Sequence, residues 1–409
     1  MNTAAAPTKS APTNWAVVLL VIGAGIVVAF QIGKAPAALP LLRADLGLGL
    51  VASGWVISMM NVIGTLLGML IGAFADRLGH RRVILAGLAL VAVASLTGAA
   101  AQGAASLLTS RFFEGLGFMM VVVAGPALIV RTTDPRDLKL AFGGWGCYMP
   151  AGTGAMMALA PLLTAPFGWR GLWIANAVLV AAFALALAAA TRPLARKGTA
   201  GLAMPSFGHD IWTTIRSPGP VLLATAFGTY TLQYLVVLGF LPTILVESEG
   251  LSLTVAAMLT ALAIAANVPG NLLGGVLLHR GAQRWLLIAG ASIVMAACGF
   301  GIYHAGLPLW LRYGLCVLLS LVGGVLPTSV LGAAPVHAPS TRLVATTNGL
   351  IMQGSNLGQT IGPPAAAALA AAFGGWQWSP AVLAFAAAIG VAAALGLRAL
   401  ERRAAGRYD

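Results

Sequence analysis

The sequence predicts an all-α membrane protein whose helices form two similar bundles, and three observations lead to this fold class. The 409 residues are 59% hydrophobic and only 8% charged, with a mean hydropathy of +0.92, which excludes a soluble globular protein. Many apolar runs have about the ~20 residues that a helix needs to cross the hydrocarbon core of a bilayer. Related short motifs also recur roughly 200 residues apart. We therefore expect twelve transmembrane helices in two pseudo-symmetric six-helix bundles.

Short polar turns divide the apolar sequence into the twelve candidate spans. We number them spans 1 to 12 in chain order. Runs of this length with few charges favour helices that cross the membrane over core helices of a soluble protein. The spans cover residues 15–40, 51–74, 83–102, 105–130, 138–164, 171–191, 219–246, 252–278, 285–304, 308–334, 343–372 and 377–400.

Positive charge is distributed unevenly between the two sides of the predicted membrane. The formal net charge is +13. If both termini lie in the cytoplasm, nearly all of the lysines and arginines outside the spans fall in inner loops and tails, and the external loops receive only Arg43 and Arg170. Positively charged loops stay on the cytoplasmic side. This pattern predicts cytoplasmic termini in a bacterial-type inner membrane, and it explains the basic residues without nucleic acid as a partner.

The two halves of the chain carry matching motifs in the same order. In span 4, Arg111 precedes Pro126 by the same interval at which Arg312 precedes Pro327 in span 10. Such internal repeats are typical of membrane carriers whose substrate site lies between the repeats near the bilayer midplane. The further matches are Leu39-Pro40 with Leu241-Pro242, Gly72 and Asp76-Arg77 with Gly275 and His279-Arg280, and Phe167-Gly168-Trp169-Arg170 with Phe373-Gly374-Gly375-Trp376.

The repeat and the charges predict how the chain is divided. One chain contains both bundles, so a monomer is the expected state. The segment between them is rich in proline, glycine and charge, and residues 210–216 within it predict a short surface helix. The expected segments are a cytoplasmic tail 1–14, an N-terminal bundle 15–191, a cytoplasmic linker 192–218, a C-terminal bundle 219–400 and a cytoplasmic tail 401–409.

Polar side chains avoid every third span. Spans 3, 6, 9 and 12 are almost purely apolar, which favours contact with lipid, so the other spans are expected to line a polar interior. Amides and hydroxyls in lipid need partners. Hydrogen bonding between helices is therefore the alternative to substrate contact for many of these residues. The candidate substrate-binding residues are Gln31, Lys34, Arg111, Tyr148, Tyr230, Gln233, Tyr234, Arg312, Gln353 and Asn356.

The charges inside the spans need a specific explanation, because a charge at the bilayer centre costs at least ~2.5 kcal/mol. Counted at ~1.5 Å per residue, Lys34 and Glu114 fall at similar depth and are able to meet. The structural alternative is that Arg111 pairs with Glu114 at i, i+3 while Lys34 extends to the interface. Lys34, Arg111, Glu114 and Arg312 together are net positive, which favours an anionic substrate. Glu114 is the only carboxylate inside a span and is the first candidate for carrying a coupling proton.

A short charged turn, Gly72-Ala73-Phe74-Ala75-Asp76-Arg77-Leu78-Gly79-His80-Arg81-Arg82, separates spans 2 and 3. Its spacing resembles the signature loop between helices 2 and 3 of the major facilitator superfamily. That resemblance implies alternating access by a rocking motion of the two bundles. We expect Gly72, Asp76, Arg77, Gly79 and Arg81 to form a conformational latch. The alternative, that these charges only set topology, explains the arginines but not the glycines.

Three further motifs resemble one group of that superfamily, the cyanate permeases and nitroimidazole transporters. They lie at residues 145–152, 167–170 and 353–358. The resemblance implies a secondary transporter for a small organic, anionic solute, and we expect proton coupling. The alternative is proton-antiport efflux of drugs or amphipathic compounds. Drug antiporters of the superfamily commonly carry an acidic residue in helix 1 where Gln31 lies nearby here, and residues 160–163 lack the glycines of their helix 5 signature.

Nothing in the spans has the pattern of an enzyme site. No nucleophile lies beside a base, and Cys147, Cys298 and Cys316 have no metal-ligand spacing, so they are expected to be small packing residues inside the spans. We expect no catalytic activity, no cofactor and no metal. The expected partners are a small-molecule substrate, membrane lipid and protons as the coupling ion.

Overall fold

The computed structural model describes residues 12–192, 207–340 and 343–405, and helices account for nearly all of them. Long runs of alanine, leucine and valine form these helices, which satisfy their backbone groups within the segment, as a lipid environment requires. The first half contains α1 (Trp15–Leu46), α2 (Leu50–Leu78), α3 (His80–Ala99), α4 (Ala104–Thr132), α5 (Leu138–Gly146) and α6 (Tyr148–Ala190).

The second half begins after a short helix, α7 (Phe207–Arg216), in the predicted linker, which confirms the expected surface helix. Several of the longer apolar segments here are interrupted. The helices are α8 (Pro218–Leu238), α9 (Leu241–Glu247), α10 (Leu253–Ala265), α11 (Asn267–His279), α12 (Arg284–Ile302), α13 (Leu309–Gly323), α14 (Val325–Leu331), α15 (Ala334–His337), α16 (Val344–Phe373) and α17 (Ser379–Ala405).

Ten helical stretches in the described part of the chain are long and apolar enough to cross a membrane, so the chain is a multi-pass membrane protein. One of them is α6, whose 43 residues include Gly168 with φ 63° and ψ −173°. Glycine adopts these dihedrals readily because it has no Cβ atom, and they interrupt the helix. The chain therefore changes direction between the predicted spans 5 and 6. The expected number of twelve spans and the cytoplasmic position of the termini stay predictions.

Span 8 consists of two helices, because the helix is interrupted at Ala266, between α10 and α11, directly before Asn267-Val268-Pro269. The expectations for the three cysteines had different outcomes. Cys147 was expected to pack inside span 5 but is exposed, because it lies at the break between α5 and α6. Cys298 and Cys316 are buried as expected.

The two halves meet along α2 and α16. The contact is close, since a Cβ atom on Gly54 would lie 2.9 Å from Cα of Pro364. Two hydrogen bonds cross it: Ser58 Oγ donates to the carbonyl of Gln359 at 2.9 Å, and the hydroxyls of Thr65 and Thr360 lie 3.1 Å apart. Small residues let two helix backbones approach in this way.

We call the end of the molecule where α1 ends and α2 begins the outer end, after the predicted topology, and the opposite end the inner end. At the outer end an ion pair joins the halves, from Arg43 of α1 to Glu247 of α9. A second pair stays within the first half, where Arg170 Nη1 lies 2.5 Å from Asp45 Oδ2. Trp169 Nε1 donates to the same carboxylate at 3.0 Å.

Candidate functional site

Three charged residues meet in the interior of the first half. Lys34 Nζ of α1 lies 2.6 Å from Glu114 Oε1 of α4, and Arg111 Nη1 lies 2.6 Å from Glu114 Oε2. The side chains of all three are 0% exposed. We call Lys34, Arg111 and Glu114 the charged cluster. The meeting of Lys34 with Glu114, expected from residue counting, is confirmed, and Arg111 also pairs with Glu114 at i, i+3. The alternative that Lys34 extends to the interface is wrong, because its ammonium is enclosed.

Neutral polar groups from three helices complete the hydrogen bonds of the cluster. Ser95 of α3 accepts from Lys34 Nζ at 2.6 Å, and its hydroxyl lies 2.6 Å from Glu114 Oε1 and 3.1 Å from Gln31 Oε1. Gln31 Nε2 in turn donates to Asn176 Oδ1 of α6 at 3.4 Å. Ser95, Gln31 and Asn176 are all buried. Buried charges persist when their remaining bonding capacity is satisfied in this way.

The expectation that spans 3 and 6 contribute nothing to the polar interior is wrong. Ser95 and Asn176 come from those spans, and Lys34 Nζ also lies 4.5 Å from the ring centroid of Trp173 in α6, a cation–π distance. The long lysine side chain extends from α1 to these helices. A signal was present in the sequence, since a single asparagine within an apolar span requires a partner.

Arg111 connects three helices as well as pairing with Glu114. Its Nε donates to the carbonyl of Val56 in α2 at 3.1 Å, and Nη1 donates to the carbonyl of Gln31 in α1 at 2.8 Å. Nη2 is buried and has no hydrogen-bond partner among the described residues. The neighbouring Gly115 permits this close approach, because a Cβ atom there would lie 2.7 Å from Cα of Met60.

The charged cluster contains two cations and one carboxylate, so its formal net charge is +1 when Lys34 is protonated. Burial makes an uncompensated charge costly. Electrostatic interactions are also stronger in this medium than in water, which lets the cluster act on a nearby charged ligand without contact. The arrangement therefore favours a negative charge in its vicinity.

Predicted binding residues of α8 form a second, uncharged group in the other half. Asn267 Nδ2 of α11 lies 3.2 Å from the Tyr230 hydroxyl and donates to the carbonyl of Ser320 at 2.9 Å. The Tyr234 ring lies 5.8 Å from that of Tyr230. Gln233 is buried beside them, where its Nε2 donates to the carbonyl of Thr229 at 3.3 Å. Gln233 Oε1 has no partner within the described ranges.

Two other predicted residues lie at the contact between α2 and α16. Gln353 Nε2 donates to the carbonyl of Thr65 at 3.2 Å. Asn356 bonds within its own helix, from Nδ2 to the carbonyl of Met352 at 2.8 Å. Both amides thus bond to backbone carbonyls of helices, which is the alternative to substrate contact.

The contacts of Tyr148 and Arg312 are with residues outside the charged cluster. Tyr148 stacks on Trp145 with ring centroids 4.7 Å apart. Arg312 forms an ion pair with Glu249 and donates from Nε to the carbonyl of Ile302 at 2.8 Å. Because Glu249 balances its charge, Arg312 adds no net charge to the interior, contrary to the sum made from the sequence.

The described part of the structure includes only some of the side chains of the predicted latch. Gly79, with φ 87°, separates α2 from α3. Arg81 donates from Nε to the Thr191 carbonyl at 3.1 Å and from Nη2 to the Ala188 carbonyl at 3.1 Å, which ties the start of α3 to the end of α6. Gly72 lies in α2, and the side chains of Asp76 and Arg77 lie outside the described part of the structure.

Sequence comparisons place this arrangement among known proteins. A family model described as the Major Facilitator Superfamily matches residues 20–352. The puromycin resistance protein pur8 of Streptomyces alboniger is 29% identical over 180 residues, which are 42% of this chain and 36% of that protein. The multidrug transporter MdfA of Escherichia coli O157:H7 is 27% identical over 285 residues, or 66% of this chain and 67% of that protein. The matches thus span between a third and two thirds of these relatives.

Solved structures show the same fold at low identity. A bacterial homolog to the human lysosomal transporter Spinster, in an inward-facing and unoccupied conformation, has a TM-score of 0.78 at 16% identity. The alignment covers 95% of this chain and 98% of that one. The nucleoside transporter NupG has a TM-score of 0.74 at 14% identity, over 94% of this chain and 99% of that one. At such identities the likeness concerns the fold.

Proposed function

Because this chain belongs to the major facilitator superfamily, a family of membrane transporters that work by alternating access, we propose that it moves a small organic anion across the inner membrane together with protons. The observation that carries the proposal is the net positive charge of the buried cluster of Lys34, Arg111 and Glu114. Arg111 Nη2, buried without a partner among the described residues, supports the proposal as a donor that is left unsatisfied.

The remaining predicted residues have supporting roles in this proposal. Tyr148, Tyr230, Gln233 and Tyr234 would provide neutral contacts, and Arg312 joins them only if its pair with Glu249 opens. Gln353 and Asn356 would become available when the contact between α2 and α16 changes. The sequence names Glu114 as the first candidate for the site of proton coupling, and the charged cluster in which it lies is where we place that coupling.

The organisation proposed for the carrier follows the sequence. It is a monomer with twelve spans and both termini in the cytoplasm, and its bundles comprise residues 15–191 and 219–400. The turn with Gly72, Asp76, Arg77, Gly79 and Arg81 would act as the inner latch. In alternating access, a pair of charges that exists in one state and separates in the other shifts the population between them.

A second candidate function is efflux of drugs or amphipathic compounds by proton antiport. It is favoured by the names of relatives, which include a puromycin resistance protein, the cephamycin export protein CmcT of Amycolatopsis lactamdurans and a multidrug transporter. CmcT is 30% identical over 173 residues, which are 41% of this chain and 35% of that protein. The two candidates differ in the charge of the ligand.

A thermal-shift screen on the purified protein separates the two candidates. Small carboxylates, cyanate and lipophilic cations would be compared on wild type, on Lys34→Ala and on Arg170→Ala, a control that removes a cation outside the cluster. A ligand at 100 times its Kd stabilises by about 2.7 kcal/mol. We expect an anion to stabilise wild type and Arg170→Ala but not Lys34→Ala. Stabilisation by lipophilic cations that does not depend on Lys34 would instead support efflux.

A further inference from the structure

The charged cluster holds one more cation than it holds anions, and all three side chains are fully buried. A buried ionisable group that lacks full compensation tends to give up its charge rather than bear the cost of desolvation. One of the three groups therefore has a reason to change its protonation. The bonds of each group indicate which one.

Arg111 is excluded first as the group that changes its protonation, because a guanidinium keeps its proton under all physiological conditions. Its bonds to the Val56 and Gln31 carbonyls also require it to donate. Glu114 is excluded by its partners. Lys34 and Ser95 lie at Oε1, both at 2.6 Å, and Arg111 lies at Oε2 at 2.6 Å, so donors are directed at both carboxylate oxygens. A proton on Glu114 would place a fourth donor against these three and leave fewer lone pairs to accept from them.

Lys34 has no such restriction. As an ammonium it donates to Glu114 and Ser95 and lies over Trp173. As a neutral amine it keeps two N–H groups, which is enough to donate to both Glu114 and Ser95, and it loses only the cation–π contact with Trp173. Loss of its proton leaves Arg111 and Glu114 as a balanced pair. Lys34 is thus the member whose deprotonation removes the excess charge while both of its hydrogen bonds remain.

We propose that Lys34 is the side chain that takes up and releases the coupling proton, while Glu114 stays ionised. The groups facing Lys34 are Glu114 and Arg111 of α4, Ser95 of α3, Trp173 of α6 and, through Ser95, Gln31 of its own helix. This inference rests on the proposed anion transport and replaces Glu114 as the expected proton carrier.

The same assignment connects the proton to the substrate. A bound univalent anion offsets the single positive charge of the protonated cluster, so the anion-loaded form is neutral. When the anion leaves, loss of the Lys34 proton makes the empty form neutral as well. Anion and proton therefore bind together, and both forms change conformation without carrying net charge through the membrane.

Lysine NMR on the full-length protein in nanodiscs tests this assignment without any substrate. The chain has four lysines, Lys9, Lys34, Lys139 and Lys197, and the sequence assigns the other three to a tail, a loop and the linker. With [13Cε]lysine labelling, the Lys34 signal is identified as the one missing from both Lys34→Arg and Lys34→Met. It is followed from about pH 6 to about pH 9.5, below the ordinary lysine value of about 10.4.

We expect the Lys34 signal to move from the ammonium to the amine position within this range, while the other three remain ammonium. A Lys34 signal that stays at the ammonium position throughout would make the cluster a permanent ion pair and overturn the assignment. A signal at the amine position at every pH would overturn it too. Because no ligand is added, failure here leaves the anion proposal standing, and a failed ligand screen leaves this titration interpretable.

Discussion

Arg111 and Arg312 occupy corresponding places in the internal repeat, each fifteen residues before a proline, Pro126 and Pro327. In the first half, α4 begins at Ala104, so Arg111 lies two turns inside the helix and is fully buried. In the second half, α13 begins at Leu309, so Arg312 lies in the first turn with 14% of its side chain exposed. The repeat preserves the residue and its spacing but not its depth, and depth decides its partners.

The interiors of the two halves differ accordingly. The first half encloses three charges, whereas Tyr230, Asn267 and Asn271 of the second half are neutral groups that bond to one another. Asn271 Nδ2 donates to Asn267 Oδ1 at 2.8 Å. The fully buried charges that the structure describes thus lie in the first half.

The largest expected effect comes from removing the carboxylate that pairs with each arginine. Glu114→Gln leaves Arg111 buried without its counter-ion, and breaking a buried pair costs about 3–5 kcal/mol. Glu249→Gln leaves Arg312 with 14% of its side chain exposed near the outer end, so water compensates part of the lost pair and a smaller cost is expected. Thermal unfolding of the purified variants measures both changes. Equal destabilisation by Glu114→Gln and Glu249→Gln would contradict the predicted dependence of stability on depth.

A smaller effect is expected from the glycine near each arginine. A Cβ atom on Gly115 would lie 2.7 Å from Cα of Met60, so Gly115→Ala must push α2 and α4 apart and lengthen the bond from Arg111 to Val56. Overpacking of this kind costs about 1–3 kcal/mol.

Gly314 in α13 provides the matched control. A Cβ atom there meets no atom within 4 Å, so Gly314→Ala has room and gains roughly 0.5–1 kcal/mol from helix propensity. Melting temperatures of the two variants should therefore move in opposite directions from that of wild type. A loss of stability in Gly314→Ala as large as that in Gly115→Ala would show that close packing is shared by both halves.

The smallest effect concerns the ion pairs at the outer end. Arg43→Gln removes the pair with Glu247 that joins the two halves, and it is expected to favour separation of their outer ends by up to about 1 kcal/mol, roughly fivefold in population. Arg170→Gln removes a pair within the first half, with Asp45, and should leave that population unchanged. Spin labels after α1 and after α9 measure the distance. The exposed Cys147 must be replaced first.

An unchanged distance distribution in Arg43→Gln would mean that the pair forms without opposing separation. A change in both variants would point to a general effect of charge at this end. Only a response confined to Arg43→Gln supports a role in holding the halves together.

Much of the fold follows from the sequence, because hydropathy and loop charge report how a chain fits the bilayer and do not require knowledge of side-chain packing. The membrane class follows in this way. The meeting of Lys34 with Glu114 was also predictable, since helices rise regularly and depth can be counted. The superfamily followed from the spacing of the turn at residues 72–82.

The site was less predictable where it depends on the direction in which a side chain points. Lys34 extends toward Ser95 and Trp173, in helices assigned to lipid by their composition. Arg312 lies in the first turn of α13, where it meets Glu249, and the spacing it shares with Arg111 does not report this difference in depth. The break at Cys147 was also missed, since an apolar composition does not report where a helix is interrupted.

The contact between Arg43 and Glu247 also makes the carrier sensitive to the medium it faces. Its side chains are 21% and 39% exposed, so dissolved ions reach them, whereas they do not reach the enclosed charges around Glu114. The Debye length falls from about 10 Å at 0.1 M salt to about 3 Å at 1 M. Ionic strength on the side that the outer end faces therefore acts on this ion pair, whereas the enclosed charges around Glu114 are screened much less.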